Sequence, residues 1–279
     1  PISCESVSLF PYDRAVRAHS PGSPCYPPSD RRRLWMPRVK AMKTKRILLS
    51  ILFPERCACC GRVIPPSAGC CPSCLEKLPV IEPPLCPFCG AGTEDCTCGR
   101  HRRHFDRCAS PFYYEDPVKE GILLFKEYGS AESAAFFAER MAEVFLREWG
   151  SPYLDGIVPV PMRKEEIRKR GHNQSRLLTK ALSGHLNAPV SDVLVKIAAI
   201  RPQKELTALE RGGNVLGAYD VREDALQNRT LEGARLLLVD DVITTGATLD
   251  ECAKVLKIAG AAEVLALTAA RARLRSSNK

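Results

Sequence analysis

The stretch at residues 236–248 constrains the fold of this chain more than any other. Four consecutive apolar residues, 236–239, predict a strand that is buried on both faces, as in a parallel sheet. Asp240 and Asp241 follow, then a small hydroxyl-rich turn, and residues 249–259 have helical spacing up to Gly260. This order of strand, acidic pair, loop and helix is that of an open α/β sheet, in which ligands bind at the carboxyl ends of the strands.

The turn that follows the acidic pair has the chemistry of a phosphate site. It consists of Thr244, Thr245, Gly246, Ala247 and Thr248. A helix N-terminus offers unpaired N–H groups and a positive dipole end, and a glycine lets the backbone come close to an anion. The two carboxylates are suited to vicinal sugar hydroxyls or to a water-bound magnesium ion. We interpret the motif as a site for a 5′-phosphate, a ribose and a divalent cation, and it resembles the phosphoribosyl pyrophosphate (PRPP) motif of type I phosphoribosyltransferases.

Cysteines are concentrated in residues 57–98. Two Cys-x2-Cys-Gly knuckles, each followed by a second pair of cysteines, predict two tetrahedral thiolate sites for structural Zn²⁺. The predicted ligands are Cys57, Cys60, Cys71 and Cys74 in the first set, and Cys86, Cys89, Cys96 and Cys98 in the second. Cys59 and Cys70 leave the register of the first set open by one residue. His101 or His104 is the alternative ligand if Cys96 and Cys98 cannot both reach the metal.

Two other interpretations of the cysteines stay open at this stage. Disulfides need an oxidising compartment, and residues 43–53 lack the cleavage site and the apolar length of a signal peptide. An iron–sulfur cluster is the other alternative. A zinc module explains the spacing of the cysteines best. We expect this zinc to be structural rather than catalytic, because an all-cysteine site leaves no open position for a substrate or a water molecule.

The region between the cysteines and the acidic motif predicts helices, a strand and two charged loops. Residues 118–126 and 131–149 have the apolar spacing of helices, and residues 157–161 predict a short strand. Residues 163–170 hold five positive groups before Gly171, and we interpret them as a basic loop for pyrophosphate, followed by a helix over 175–186. Residues 201–206 predict a mobile loop over the reacting centre, and a strand is predicted to end at Tyr219.

The net charge of +9 is concentrated near the N-terminus, since residues 1–56 carry +7 of it. The near-neutral remainder argues against strong non-specific binding to DNA. Residues 1–41 are rich in proline and arginine, and we expect either a disordered leader or translated upstream sequence, with the natural start at Met42 or Met36; a basic nucleic-acid arm is the alternative. No apolar run approaches the ~20 residues of a membrane span, so we expect a cytoplasmic protein.

The order of these motifs resembles the ComF family, zinc-ribbon-bearing phosphoribosyltransferase-like proteins linked in bacteria to DNA uptake during competence. The resemblance covers roughly residues 42–272. It implies an α/β fold, in which a type I phosphoribosyltransferase-like parallel sheet flanked by helices is preceded by a small Cys-rich zinc-ribbon domain. The domains expected from it are a leader at 1–41, a double zinc ribbon at 42–104 and a phosphoribosyltransferase domain at 105–279.

The resemblance also implies roles for individual residues. Asp240 and Asp241 match the ribose-binding acids, and residues 244–248 match the 5′-phosphate loop. The basic motif is matched by Arg170, Gly171, Asn173 and Gln174, with Arg168 and Lys169 as further cations for pyrophosphate, and a later segment is matched by Gln203, Arg211 and Asn214. His172 stands where an aromatic residue is usual, and residues 204–206 depart from the family pattern.

The function implied is binding of PRPP with Mg²⁺ and transfer of the phosphoribosyl group to an amine or a base, with Asp240, Asp241 and Arg170 as catalytic residues. The alternative is a non-catalytic helper in DNA uptake or repair, whose zinc module contacts single-stranded DNA or a helicase partner. A third hypothesis is a nucleotide-sensing regulator. No motif indicates the acceptor or the oligomeric state.

Overall fold

The structure is a computed structural model that describes residues 54–99, 103–197 and 217–273 of the 279-residue chain. The predicted leader at 1–41, the start at Met42, His101, the departing residues 204–206 and the loop residues Gln203, Arg211 and Asn214 lie outside the described residues. None of the helices in the described part combines the length and the apolar character that crossing a membrane requires.

A parallel sheet lies at the centre of the fold, as the sequence predicts. Its order is β1–β7–β6–β3, and β2 also pairs with β7. These strands are β1 (Arg107–Ala109), β2 (Phe112–Tyr113), β3 (Gly156–Pro159), β6 (Arg235–Ile243) and β7 (Glu263–Arg271). A separate antiparallel pair is formed by β4 (Leu194–Lys196) and β5 (Tyr219–Val221).

Helices cover both faces of this sheet. They are α1 (Pro72–Leu75), α2 (Val118–Tyr128), α3 (Ala131–Trp149), α4 (Lys164–Arg170), α5 (Gln174–Leu186), α6 (Glu223–Gln227) and α7 (Ala247–Ile258). Leu236 and Leu238 of β6 belong to one apolar cluster with Leu249 and Leu256 of α7. Because successive strand residues point to opposite faces, the intervening residues of β6 face the other layer, where α3 and α5 pack together and against the sheet.

Three local predictions differ from the structure. The basic segment forms helix α4 rather than a loop, because its acids lie in the first turn and its cations in the last, which complements the helix dipole. Strand β6 continues through the acidic pair to Ile243, because Val242 and Ile243 still pair with β7. Strand β5 begins at Tyr219 rather than ending there.

The cysteine-rich segment packs against the edge of the sheet. Val80 forms an antiparallel bridge with Phe112 of β2, so β2 is not left as a bare edge. The buried side chain of Arg271, at the end of β7, donates a 2.5 Å hydrogen bond to the carbonyl of Cys89. Nη1 of Arg273 lies 2.6 Å from the Oδ1 atom of Asp95, which belongs to the cysteine-rich segment. The cysteine-rich segment is therefore held to the sheet by backbone pairing and by arginines.

The cysteine-rich segment lies close against a helix at Gly121 of α2. A Cβ atom added there would lie 2.3 Å from the carbonyl oxygen of Ala58 and 2.8 Å from Cα of Cys59. Both neighbours are backbone atoms, so relief needs a backbone shift. We expect Gly121→Ala to destabilise the protein by about 2–3 kcal/mol in chemical denaturation, despite the better helix propensity of alanine.

Gly184 provides the matched control for this prediction. It lies exposed inside α5, and an added Cβ there would meet nothing within 4 Å. The same substitution, Gly184→Ala, should stabilise the protein by about 0.5–1 kcal/mol through helix propensity alone. Equal effects of the two substitutions would contradict the tight packing of α2 against Ala58.

Candidate functional site

The acidic pair lies in β6, near the carboxyl end of the sheet, and two helices supply its partners. The hydroxyl of Ser175, in the first turn of α5, donates a 2.8 Å hydrogen bond to Oδ1 of Asp240. The backbone N–H of Asp241 donates to the same oxygen at 2.9 Å. The ammonium of Lys126, in the last turn of α2, lies 3.0 Å from Oδ2 of Asp241. The two carboxylates are thus oriented separately, one by a hydroxyl and the other by a cation.

The environment of Asp240 disfavours its charge. The pKa of Asp240 is raised to about 7, mainly by burial. The neighbouring Asp241 carboxylate is the second cause of this rise. The hydroxyl of Ser175 acts in the opposite direction, since it donates to the ionised carboxylate. Strongly raised carboxyl pKa values cluster at functional sites, so the raised pKa of Asp240 favours this end of β6 as a candidate site.

This raised pKa makes stability depend on pH in a definite direction. Between about pH 4 and pH 7 the folded protein holds a proton on Asp240 that the unfolded chain, with a carboxyl pKa of ~3.9, has released. The contribution of Asp240 to stability therefore falls as the pH rises through this window. Because Asp240→Asn removes the ionisation, we expect this variant to be about 1–3 kcal/mol more stable than the parent at pH 8, and less so at pH 6, in urea unfolding.

Asp224→Asn is the control for this pH dependence. Asp224 is exposed, and its hydrogen bonds with Arg222 lower its pKa below the ordinary value, so it stays ionised throughout this pH range. The stability difference between this variant and the parent should not change from pH 6 to pH 8. A variant at Asp240 that behaved like the one at Asp224 would show that the buried carboxyl is not under electrostatic strain.

The predicted phosphate loop connects β6 to α7. Gly246 occupies the position just before α7 with φ of +83°, a left-handed conformation that glycine adopts without strain. Thr244, Thr245 and Ala247 are exposed, while Thr248 is half-buried. The N–H groups of the first turn of α7 therefore lie at an accessible end of a 12-residue helix.

A segment that follows the second set of cysteines packs against this loop. The guanidinium of Arg103 donates a 2.9 Å hydrogen bond from Nη2 to the carbonyl of Thr245. Its Nη1 lies 3.8 Å from Asp250 in the first turn of α7. The backbone N–H of His104 donates to the same Asp250 carboxylate at 2.6 Å. This contact was not anticipated from the sequence, where His104 was considered only as a zinc ligand.

The segment at residues 172–174 fixes the end of α2. His172 donates from Nε2 to the carbonyl of Phe125 at 3.3 Å, and the amide of Gln174 donates to the carbonyl of Lys126 at 3.1 Å. Asn173 caps α5 by accepting from the N–H of Arg176, and it also donates to the carbonyl of Val160. Asn173 and Gln174, predicted to contact the ligand, thus hold the backbone around Lys126 and Ser175.

The predicted pyrophosphate cations make no hydrogen bond or ion pair with the acidic pair among the described residues. Arg168, Lys169 and Arg170 are exposed in the last turn of α4, and Gly171 ends that helix. They form an exposed positive surface.

The sulfurs of the eight predicted zinc ligands fall into two groups of four. In each group the sulfurs lie within 4.8 Å of one another. A tetrahedral site with Zn–S distances of ~2.3 Å places its sulfurs ~3.8 Å apart. The observed separations are 3.8 Å for Cys60 and Cys71, and 3.8 Å for Cys86 and Cys98. The donor sets therefore fit zinc, and both are closed structural sites.

The spare thiols Cys59 and Cys70 are not members of the two four-sulfur groups, although they lie next to the first one. Cys59 and Cys70 are buried beside the first group, and the Cys70 sulfur lies 3.6 Å from that of Cys57. All twelve described cysteines are free thiols, which argues against the disulfide alternative. In the second group, Cys96 and Cys98 both reach the site, so His104 is not needed as a ligand.

Two family models match the chain: a double zinc ribbon domain over residues 48–110 and a phosphoribosyl transferase domain over residues 173–278. Competence protein ComFC of Bacillus subtilis is 30% identical over 220 residues, which are 75% of this chain and 87% of that protein. DNA utilization protein YhgH of Salmonella typhi is 33% identical over 189 residues, 64% of this chain and 81% of that protein. Competence protein F of Haemophilus influenzae is 28% identical over 233 residues, 79% of this chain and 98% of that protein.

The parallel sheet and the two Cys4 groups define a protein with an N-terminal double zinc ribbon and a phosphoribosyltransferase-type domain. The predicted fold class and the predicted zinc are thereby supported, and the iron–sulfur alternative is not. The relationship to the competence proteins is specific enough to name the group: the chain belongs to the ComF family.

Three residues of this site were missed as site residues by sequence reasoning. Lys126 ends a predicted helix and was given no role there, and neither Arg103 nor Ser175 lies in a recognisable motif. Ser175 and Asp240 are 65 positions apart, and Arg103 and Thr245 are 142 positions apart. The one signal in the sequence was the segment at residues 122–129, in which Lys126 directly follows a run of apolar residues.

Proposed function

We propose that this protein binds PRPP with Mg²⁺ and transfers its phosphoribosyl group to an amine or a base. The observation that carries the proposal is the juxtaposition of Asp240 and Asp241 with a glycine-capped helix N-terminus at the end of β6. Carboxylates that accept from hydroxyls and a helix N-terminus that attracts phosphate match the two ends of a ribose 5-phosphate. The match to the phosphoribosyl transferase domain supports the same ligand class.

The loop at residues 244–248 would hold the 5′-phosphate, and the acidic pair would hold the ribose. Ser175 fixes one oxygen of Asp240, which sets the direction in which the other oxygen faces a ribose hydroxyl. The ammonium of Lys126, 3.0 Å from Asp241, places a positive charge beside the acidic pair. Bound Mg²⁺ would neutralise charge on the pyrophosphate group, and acidic side chains with their water shells suit it.

The reaction would exchange one bond at C1 of the ribose for another. The nucleophile's lone pair would form the new bond to C1 as the bond between C1 and pyrophosphate breaks, and the bonding electrons would leave with pyrophosphate. An attacking amine would then lose a proton to solvent. The transition state carries positive charge on the sugar and growing negative charge on pyrophosphate. The exposed cations of α4, with Arg170 the one assigned by the resemblance, are the groups suited to the second charge.

Calorimetric titration of the full chain with PRPP, with and without Mg²⁺, tests this function. We expect micromolar binding that needs Mg²⁺, and weaker binding of ribose 5-phosphate and of pyrophosphate as separate fragments. Pyrophosphate release in the presence of amines and bases would then identify the acceptor. Absence of PRPP binding in the zinc-loaded protein would refute the proposal.

The names of the relatives suggest where this site is used. Those proteins are called competence and DNA utilization proteins, and we propose a role for this chain in the same process. The exposed basic helix α4 is the described surface best suited to single-stranded DNA. Binding of a labelled oligonucleotide that weakens steeply with salt, and weakens further when Arg168, Lys169 and Arg170 become glutamine, would support this role; no binding at low salt would exclude it.

A further inference from the structure

The phosphate loop lacks a cation of its own. Residues 244–248 contain no charged side chain, and the nearest charge along the chain is Asp250, in the first turn of α7. An acid at that position stabilises the helix, but it repels an anion bound at the same N–H groups. A positive charge from elsewhere in the molecule would offset this repulsion and strengthen phosphate binding at the loop.

Arg103 supplies that charge. Its guanidinium carbon lies 4.0 Å from the point that a Cβ atom on Gly246 would occupy, so the cation sits directly at the turn. The side chain is 31% exposed, which leaves part of the guanidinium accessible to a ligand. Nη1 faces Asp250, and Nη2 donates to the carbonyl of Thr245.

The segment that carries Arg103 is firmly anchored. Phe105 is buried in the apolar cluster beneath α7. Asp106 exchanges backbone and side-chain hydrogen bonds with Val264 of β7, and Lys257 of α7 pairs with its carboxylate at 2.7 Å. Arg103 is thus held at the loop by the fold rather than by its own contacts alone.

We propose that Arg103 is a binding residue for the 5′-phosphate of a phosphoribosyl ligand, delivered to the loop by the segment that leaves the second zinc ribbon. The inference rests on the proposed function for the identity of the ligand. It extends that function in one respect: the zinc-ribbon region completes the phosphate site instead of acting as a separate module. The chemical group that Arg103 would recognise is a phosphate monoester on a pentose.

Titration of the Arg103→Gln variant with ribose 5-phosphate and with pyrophosphate tests this role. Loss of one charge-assisted contact should weaken ribose 5-phosphate binding by about 10- to 100-fold. Pyrophosphate, which binds elsewhere in the site, should be unaffected. Arg103→Lys should restore part of the affinity, because it keeps the charge and loses the forked geometry. Arg222→Gln, at an exposed arginine paired with Asp224, is the control for the charge change.

A second substitution separates direct contact from charge compensation. If Arg103 only neutralises Asp250, the Arg103→Gln/Asp250→Asn double variant regains parental affinity, and the proposal is overturned. If Arg103 contacts the phosphate, the double variant stays weak. Parental affinity of Arg103→Gln, or an equal loss for pyrophosphate, also overturns it. Circular dichroism and thermal unfolding check that each variant is folded.

Failure of this inference is distinguishable from failure of the proposed function. A parent that binds ribose 5-phosphate through Arg103 but does not bind PRPP refutes the function and keeps the inference. A parent that binds PRPP independently of Arg103 does the reverse. A parent that binds neither ligand refutes both.

Discussion

Replacing Asp240 and Asp241 together by asparagine is expected to weaken PRPP binding in the presence of Mg²⁺ by about 100-fold or more, from the loss of two charge-assisted hydrogen bonds at ~1.5–3 kcal/mol each. Asparagine matches the shape of aspartate, and its carbonyl oxygen can still accept from Ser175. The fold should therefore survive. Calorimetry with the parent and the variant at pH 8, above the pKa of about 7 of Asp240, measures the effect.

The pair Glu223→Gln/Asp224→Asn provides a control of equal charge. Both residues lie exposed in the first turn of α6, so the substitution removes two negative charges without touching β6. This control should bind PRPP as the parent does. If both double variants lost affinity equally, long-range charge rather than the acidic pair would explain the binding.

The stability of the double variant carries independent information. Neutralising the buried carboxyl of Asp240 relieves an unfavourable charge, while neutralising Asp241 removes the partner of Lys126. Loss of binding without loss of stability would show that the acids serve the ligand rather than the fold, as expected where function is maintained at the cost of stability. A variant that unfolded at room temperature would instead assign them a structural role.

Cys74→Ser is expected to remove one zinc ion per chain and to unfold the first ribbon. Structural zinc contributes ~10–16 kcal/mol of binding free energy in small zinc-finger peptides, so its loss exceeds what a short segment with one four-residue helix can tolerate. Elemental analysis of the parent should give close to two zinc ions per chain, one for each Cys4 group. Thermal unfolding of the variant should begin at a markedly lower temperature.

The effect should extend to the candidate ligand site. In the first ribbon, the backbone of Ala58 and Cys59 lies directly against Gly121 of α2. The last turn of the same helix holds Lys126 against Asp241. Release of the ribbon loosens α2, so we expect the PRPP affinity of Cys74→Ser to fall as well. Unchanged PRPP affinity in a zinc-depleted variant would show that the ribbon and the sheet are energetically independent.

Cys59→Ser is the matched control for the zinc prediction. Cys59 is fully buried next to the first group, but its sulfur is not one of the four ligands. This variant should retain two zinc ions and lose only a modest amount of stability. If Cys59→Ser also lost a zinc ion, the assignment of the four ligands of the first site would be wrong.

Features that depend on local spacing could be predicted from the sequence. A Cys-x2-Cys-Gly knuckle folds through its own backbone: the N–H of Gly61 bonds to the carbonyl of Cys57, and that of Gly90 bonds to the carbonyl of Cys86. The apolar run before Asp240 could occupy only a strand covered on both faces. The family model for a double zinc ribbon and the parallel sheet confirm the predicted fold class.

Where the prediction failed locally, the deciding forces were not visible in a short window. The segment at residues 163–170 was interpreted as a loop because its cations suggested a ligand, yet its charge order is that of a stable helix turn. The strand containing the acidic pair was expected to end at residue 239. It continues to Ile243 because β7 offers partners along its whole length.

By itself, the sequence determined the class of the protein and the acidic motif with its loop. It also identified the eight cysteines whose sulfurs the structure brings together in two groups of four. Only the tertiary structure decided which groups meet that motif. Lys126, Ser175 and Arg103 come from a helix end, a helix start and the segment after a zinc ribbon, and each reaches the site through packing between distant elements. Such contacts have no sequence signature, because a charged or hydroxyl side chain gains a specific partner only when the apolar faces around it dictate where its backbone lies.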